Sequence, residues 1–213
     1  RYFPEPDLGP LRVAGWVDAI VLPELPEARR QRFMEQYGCS PIHARTLTGD
    51  IRIAEFYEEV AGIDPALAAT WIADTLLGEL NYRGMSISAV PPAIFSRLLS
   101  LVRSGVMTDR NGVDVLRVLL DELKESGACE TPEECVERLG LRAIPAGAAG
   151  GDDPVATAAR EALAENPRAV DDFRNGRKEA LNFLVGQVMK KTRGCAKPAD
   201  ANQVLVRLLE KGE

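Results

Sequence analysis

Apolar residues along this chain recur at three- and four-residue intervals over most of its length, and no segment alternates persuasively with a period of two. That spacing lines one face of a helix and leaves no signal for a half-buried strand. Proline, glycine and capping residues mark the breaks. Pro23 and Pro26 precede a helix predicted from about Glu27 to Tyr37 and ended by Gly38. Ser40-Pro41 opens a short turn of helix to about Leu47, and Asp50 caps Ile51 to Val60, closed by Gly62. Asp64-Pro65 starts a long amphipathic helix with Leu67, Trp71, Ile72, Thr75, Leu76 and Leu80 on one face, ended by Gly84.

Further helices are predicted from Pro91-Pro92 to Val102, with Gly105 closing, and from Thr108 or Asp109 to Gly127. Thr131-Pro132-Glu133-Glu134 carries the spacing of a capping box, and its helix stops at Gly140. The fold class predicted is all-α: a helical bundle domain followed by a small helical tail domain. Residues 1–19 read as the end of, or linker from, a preceding domain. Three prolines and a glycine in residues 1–10 make an extended connector, which Tyr2 and Phe3 would anchor. Residues 11–21, LRVAGWVDAIV, are expected to add a short strand or to lie over the core. Residues 20–142 form the helical domain, 143–151 (AIPAGAAGG) a flexible linker, and 152–213 the tail.

Within the tail, Asp153 to Glu165 is a first helix, Arg168 to Phe173 a short turn, and about Arg177 to Arg193 a long helix. Leu181, Leu184, Val185, Val188 and Thr192 share its packing face. Lys178, Asn182, Gly186 and Arg193 share another face, with Lys190 alongside. Glycine inside a helix costs about 1 kcal/mol against alanine, so Gly186 points to a close approach, by another helix or by a ligand backbone. Gly194 is placed to end the helix. Cys195, Ala196 and Lys197 make an elbow, and Pro198 sits in the first turn of the last helix.

Charge changes the picture. The chain is acidic, with formal net charge −6. Yet Asn166 to Lys211 holds ten Lys/Arg against five Asp/Glu, while residues 1–165 hold sixteen against twenty-six. A basic end on an acidic body suits a polyanion held at one place. Lys190, Lys191, Arg193 and Lys197 are expected to contact phosphates, with Lys178 and Asn182 beside them. Cations near a helix C-terminus also serve its dipole, so a structural role for them stands beside this one. Only Phe173 and Phe183 lie nearby, which favours reading a folded RNA by shape and phosphate over stacking on a single strand.

Catalytic and metal constellations are absent from the sequence. Cys39, Cys129, Cys135 and Cys195 with the lone His43 match no zinc spacing, and free thiols in a reducing cytoplasm are expected. His43 is assigned a structural role. The pairs Glu58/Glu59 and Asp171/Asp172 are expected to be solvated, and no glycine-rich phosphate loop is present. No run of about 18 apolar residues spans a membrane. The chain begins with Arg1 and shows no leader, so it is expected to be part of a longer protein.

Three segments resemble a known family. Arg1 to Leu8 (RYFPEPDL), Leu22 to Pro26 (LPELP) with Arg29 and Arg32, and Phe183 to Lys190 (FLVGQVMK) look like successive signatures of the B subunits of aspartyl/glutamyl-tRNA amidotransferases. The resemblance implies a cytoplasmic, ATP- and magnesium-dependent enzyme that works with A and C subunits as a heterotrimer. It converts Glu-tRNA(Gln) or Asp-tRNA(Asn) to the amide with glutamine-derived ammonia. It also implies that this chain is the tRNA-holding helical domain and YqeY-like tail, with Lys178, Asn182, Gly186, Lys190, Lys191, Arg193 and Lys197 toward tRNA(Gln) or tRNA(Asn). The catalytic cradle with its nucleotide and metal residues would precede Arg1, so no catalytic residue and no cofactor is assigned here. The family's elbow usually reads Thr-Arg/Lys-Gly-Lys-Ala-Asn-Pro. Here Thr192-Arg193-Gly194-Cys195-Ala196-Lys197-Pro198 shifts the basic residue by two places. A rival reading makes the tail a module that docks on acidic protein without touching RNA.

Overall fold

The computed structural model describes residues 7, 13–17, 19–20, 23–144, 153–174, 176–177 and 179–211. Among these residues the regular structure is helical and contains no strand. The connector read at residues 1–10, with Tyr2 and Phe3, lies outside the described residues apart from Asp7. The apolar stretch after it corrects the expectation of a strand or a core cover. It forms a single helical turn, α1 (Ala14–Val17). Val17 N–H donates to Val13 O at 3.0 Å and Ile20 N–H to Trp16 O at 3.1 Å. The backbone is therefore satisfied locally, and Trp16 and Val17 stay 60% and 63% exposed.

The body is built from α2 (Pro26–Tyr37), α3 (Pro41–Leu47), α4 (Ile51–Val60), α5 (Pro65–Thr70), α6 (Leu77–Arg83), α7 (Pro92–Arg103), α8 (Asp109–Ser126) and α9 (Pro132–Leu139). Ser40, Asp50, Asp64 and Thr108 each accept a first-turn N–H, and Thr131 with Glu134 closes the capping box. Such caps contribute about 1 kcal/mol each. α5 and α6 are the ends of one predicted helix, with Trp71–Leu76 forming a π-helical turn between them. Ala68, Ile72, Leu76 and Leu80 repeat at strict four-residue steps, and all are buried. Four residues of α-helix advance about 40° beyond a full turn, so this row would rotate off the core. The wider turn brings it back.

Phe33, Tyr57, Ile72, Phe95, Leu99, Leu119 and Leu120 are among the side chains that fill the body's core. Tyr57 Oη donates to Pro65 O at 3.2 Å and lies 3.1 Å from Cys39 Sγ. All four cysteines are free thiols. His43 Nε2 meets Asp74 Oδ2 on the π-helical turn at 3.3 Å. Glu58 departs from the solvated pair expected. It takes Arg32 and Arg29, which also hold Glu24, because α2 lays both arginines against it. Asp172 pairs with Arg177 at 3.1 Å.

The tail comprises α10 (Pro154–Glu165), α11 (Pro167–Arg174), α12 (Glu179–Lys191) and α13 (Pro198–Lys211). Its core is separate from the body's, and its buried residues include Val155, Ala159, Ala162, Leu184, Val188, Ala201 and Leu205. The alanines of α10 allow close approach of α12 and α13. Residues 143 and 144, at the start of the glycine-rich stretch, are tied down. Ala143 N–H donates to Val106 O at 2.7 Å and Ile144 N–H to Cys195 O at 2.9 Å. Residues 145–152 lie outside those described.

Candidate nucleic-acid interface

α12 presents two faces, as its sequence predicts. Leu184 and Val188 are buried, with Leu181, Val185 and Thr192 partly so. On the opposite side Asn182, Phe183, Gly186 and Lys190 are exposed. A Cβ added at Gly186 would meet nothing within 4 Å, so no described neighbour in this chain supplies the close approach its position suggested. Lys178, just before α12, lies outside the described residues.

The helix ends in two left-handed residues, Arg193 at φ 51° and Gly194 at φ 74°. Gly194 N–H donates back to Met189 O at 2.8 Å, closing the last turn. The chain then folds inward. Gly194, Cys195 and Ala196 are buried, while Arg193 and Lys197 flank them exposed. Thr108 Oγ1 donates to Gly194 O at 2.8 Å. Asn111 Nδ2 donates to Leu141 O at 3.2 Å and lies 3.4 Å from Cys195 Sγ. Asn111 is 1% exposed, and its Oδ1 has no hydrogen-bond partner. A Cβ added at Gly194 would stand 2.7 Å from that oxygen. The position therefore needs glycine twice over, for its φ and for its space.

The elbow is thus the joint through which tail meets body, with its charges on the rim. Thr108 and Asn111 are not assigned to it from the sequence. The available signal was the uncharged, small run Gly194-Cys195-Ala196 set inside a basic stretch, opposite the Asn111-Gly112 pair in the first turn of α8.

The candidate cations differ in what holds them. Lys191 Nζ is shared by Glu161 at 3.1 Å and Glu165 at 2.7 Å. The Glu165 and Glu161 carboxylates raise its pKa, and its charge is spent inside the tail. Among the described residues, Lys190, Arg193 and Lys197 enter no ion pair. Lys197 reaches across the joint. A Cβ added at Gly105 would stand 3.2 Å from its Nζ, beyond the C-terminal end of α7, where a cation is favoured. No group of three His, Cys, Asp or Glu is placed to hold a metal ion among the described residues, and no helix there is long and apolar enough to cross a membrane.

Comparison with known proteins places these features in company. The model of the GatB domain family matches residues 55–209. The aspartyl/glutamyl-tRNA(Asn/Gln) amidotransferase B subunit of Methanospirillum hungatei is 56% identical over 211 residues, covering 99% of this chain and 43% of the relative. That of Methanoregula boonei is 55% identical over 216 residues, covering 100% and 44%. That of Methanosarcina mazei is 45% identical over 233 residues, covering 99% and 45%. The chain spans less than half the length of these relatives.

Proposed function

The chain belongs to the GatB domain family of amidotransferase B subunits, and on that footing we propose that it is the part of such a protein that holds the tRNA. The observation that carries this is the exposed side of α12 and its elbow. Lys190, Arg193 and Lys197 stand there with no carboxylate partner among the described residues, on an otherwise acidic protein. Phosphate oxygens are the partners such side chains lack. Bare Gly186, between Asn182 and Lys190, lets a sugar–phosphate backbone come close to the helix. The work done is positioning: the tRNA body is fixed so that its charged end reaches the reacting groups elsewhere in the enzyme.

The reaction would be conversion of Glu-tRNA(Gln) or Asp-tRNA(Asn) to the amide, in a cytoplasmic assembly with A and C subunits. ATP and magnesium, expected for the longer protein, are not assigned to residues of this chain, and no step is derived through them.

The test is binding of a tRNA transcript to the full-length protein across salt concentrations. Replacing Lys190, Arg193 and Lys197 with glutamine should lower the salt slope by about 3, near 0.9 per lost phosphate contact. An unchanged slope, with partner capture that survives ribonuclease, would support the protein-docking alternative instead.

A further inference from the structure

Away from the elbow, the tail has a cavity of about 510 Å³ between α11 and α12, a size that suits a small ligand group. Pro167, Ala169, Ala180 and Phe183 give it apolar walls. Phe183 is 49% exposed and stands outside the tail's core. A single exposed apolar side chain needs no explanation, but this one walls a cavity. Phe183, Gly186 and Lys190 also follow one another at three- and four-residue steps, all exposed. The cavity therefore borders the same stripe of α12 as the bare glycine and the unpaired lysine, with about 10 Å of helix from ring to lysine.

The rim limits what can enter. Its two carboxylates are already engaged, Glu165 by Lys191 at 2.7 Å and Asp172 by Arg177 at 3.1 Å. Arg168 enters no ion pair among the described residues. The rim thus offers a cation and no uncompensated anion. Asn166 Nδ2 donates to Ala162 O at 2.8 Å, which fixes the amide and leaves its oxygen and second N–H without a partner among the described residues. A carboxamide sets a donor beside an acceptor, the pattern that meets the edge of a base.

We propose that this cavity receives one unpaired base of the bound RNA, with Phe183 stacked on its face and Arg168 and Asn166 at its edge. This rests on the tRNA-holding function above. A folded RNA offers such bases in its loops and bulges, where proteins read sequence by stacking and edge contacts. The base then supplies the register and sequence preference that phosphates cannot. One ring serves one base, in keeping with the scarcity of aromatic residues in the tail.

The experiment uses the full-length protein and a tRNA transcript, with affinity read between about 50 and 200 mM salt. F183A should bind about fivefold or more weakly, the loss of one aromatic–base stack, yet keep the parent's salt slope because no charge is removed. F183L keeps apolar bulk without a ring and should lose as much, whereas F183W should bind at least as well as the parent. Melting midpoints of all three should stay at the parent's value, since Phe183 lies outside the core. A tRNA synthesised with one abasic residue, placed in turn at each unpaired position, should at one position reproduce the F183A loss, and combining the two should cost no more than either alone. Parental affinity in F183A, parental affinity in F183L, or losses that add at every abasic position each overturns the base site. A protein captured by the parent after ribonuclease treatment and lost by F183A, with RNA affinity intact, also overturns it and assigns the cavity to protein docking. If F183A binds as the parent does while the Lys190/Arg193/Lys197 variant still lowers the slope, phosphate holding by the tail survives that failure. If neither variant changes binding, both proposals fall.

Discussion

Replacing Gly194 with alanine tests whether backbone conformation and Asn111 hold the elbow together. Gly194 has φ 74°, and a Cβ in that region costs about 1–2 kcal/mol. The same Cβ would stand 2.7 Å from Asn111 Oδ1, well inside contact distance. Asn111 has little freedom to retreat. Its amide nitrogen spans Leu141 O at 3.2 Å and Cys195 Sγ at 3.4 Å. Moving the side chain away breaks both contacts, and leaving buried polar groups unpaired costs about 1–3 kcal/mol. G194A should therefore lose about 2–5 kcal/mol in urea unfolding of the full-length protein, combining the conformational and polar costs. Gly176 is the control. It has φ 88° and open space around it, so G176A should show only the conformational part. In an N111A background, G194A should cost only the conformational part, because the Asn111 contacts it would break are already gone. A G194A variant no less stable than G176A, or a G194A loss in the N111A background as large as in the parent, refutes the packing described for the joint.

Two further outcomes are expected. Glu24 accepts from Arg32 at 2.6 and 2.9 Å and from Arg29 at 3.2 Å, and the Arg32 hydrogen bonds foremost hold its pKa down to about 2. A depressed folded pKa gives stability that is present above about 4.5, the unfolded value, and is lost as pH falls toward 2. The urea midpoint of E24Q should accordingly fall less steeply over that interval than the parent's, and an identical acid profile would refute the assignment. Lys191 is engaged by Glu161 and Glu165. K191Q should thus leave the RNA salt slope at the parent value while lowering the melting midpoint slightly at low salt. A slope drop equal to that of K190Q would show that the ion pairs do not keep Lys191 from RNA.

The helices of this protein are legible because their ends are written chemically. Ser40, Asp50, Asp64 and Thr131 cap where they stand, and Gly38, Gly84, Gly127 and Gly140 fall just beyond the last turn. Three things were not legible, each for a physical reason. The π-helical turn at Trp71–Leu76 hides in a row of four-residue steps that an ordinary amphipathic helix tolerates over short stretches. The turn at Ala14–Val17 carries apolar residues that elsewhere mean burial, yet Trp16 and Val17 remain exposed. The elbow reads as a continuous basic stretch, whereas its middle is a buried contact. Cys195 is 6% exposed beside Asn111, so it belongs to the joint and not to the outer rim.

The tie made by Ala143 and Ile144 has an evolutionary side. One residue donates to the body at Val106 and the next to the elbow at Cys195, and both bonds come from the main chain. Both bonds are therefore indifferent to side-chain identity, although Ile144 also packs its side chain against the tail's core. Proline is the one natural residue that cannot donate. Both bonds should survive most substitutions and be lost with that one, a signature that a scan for conserved side chains would pass over.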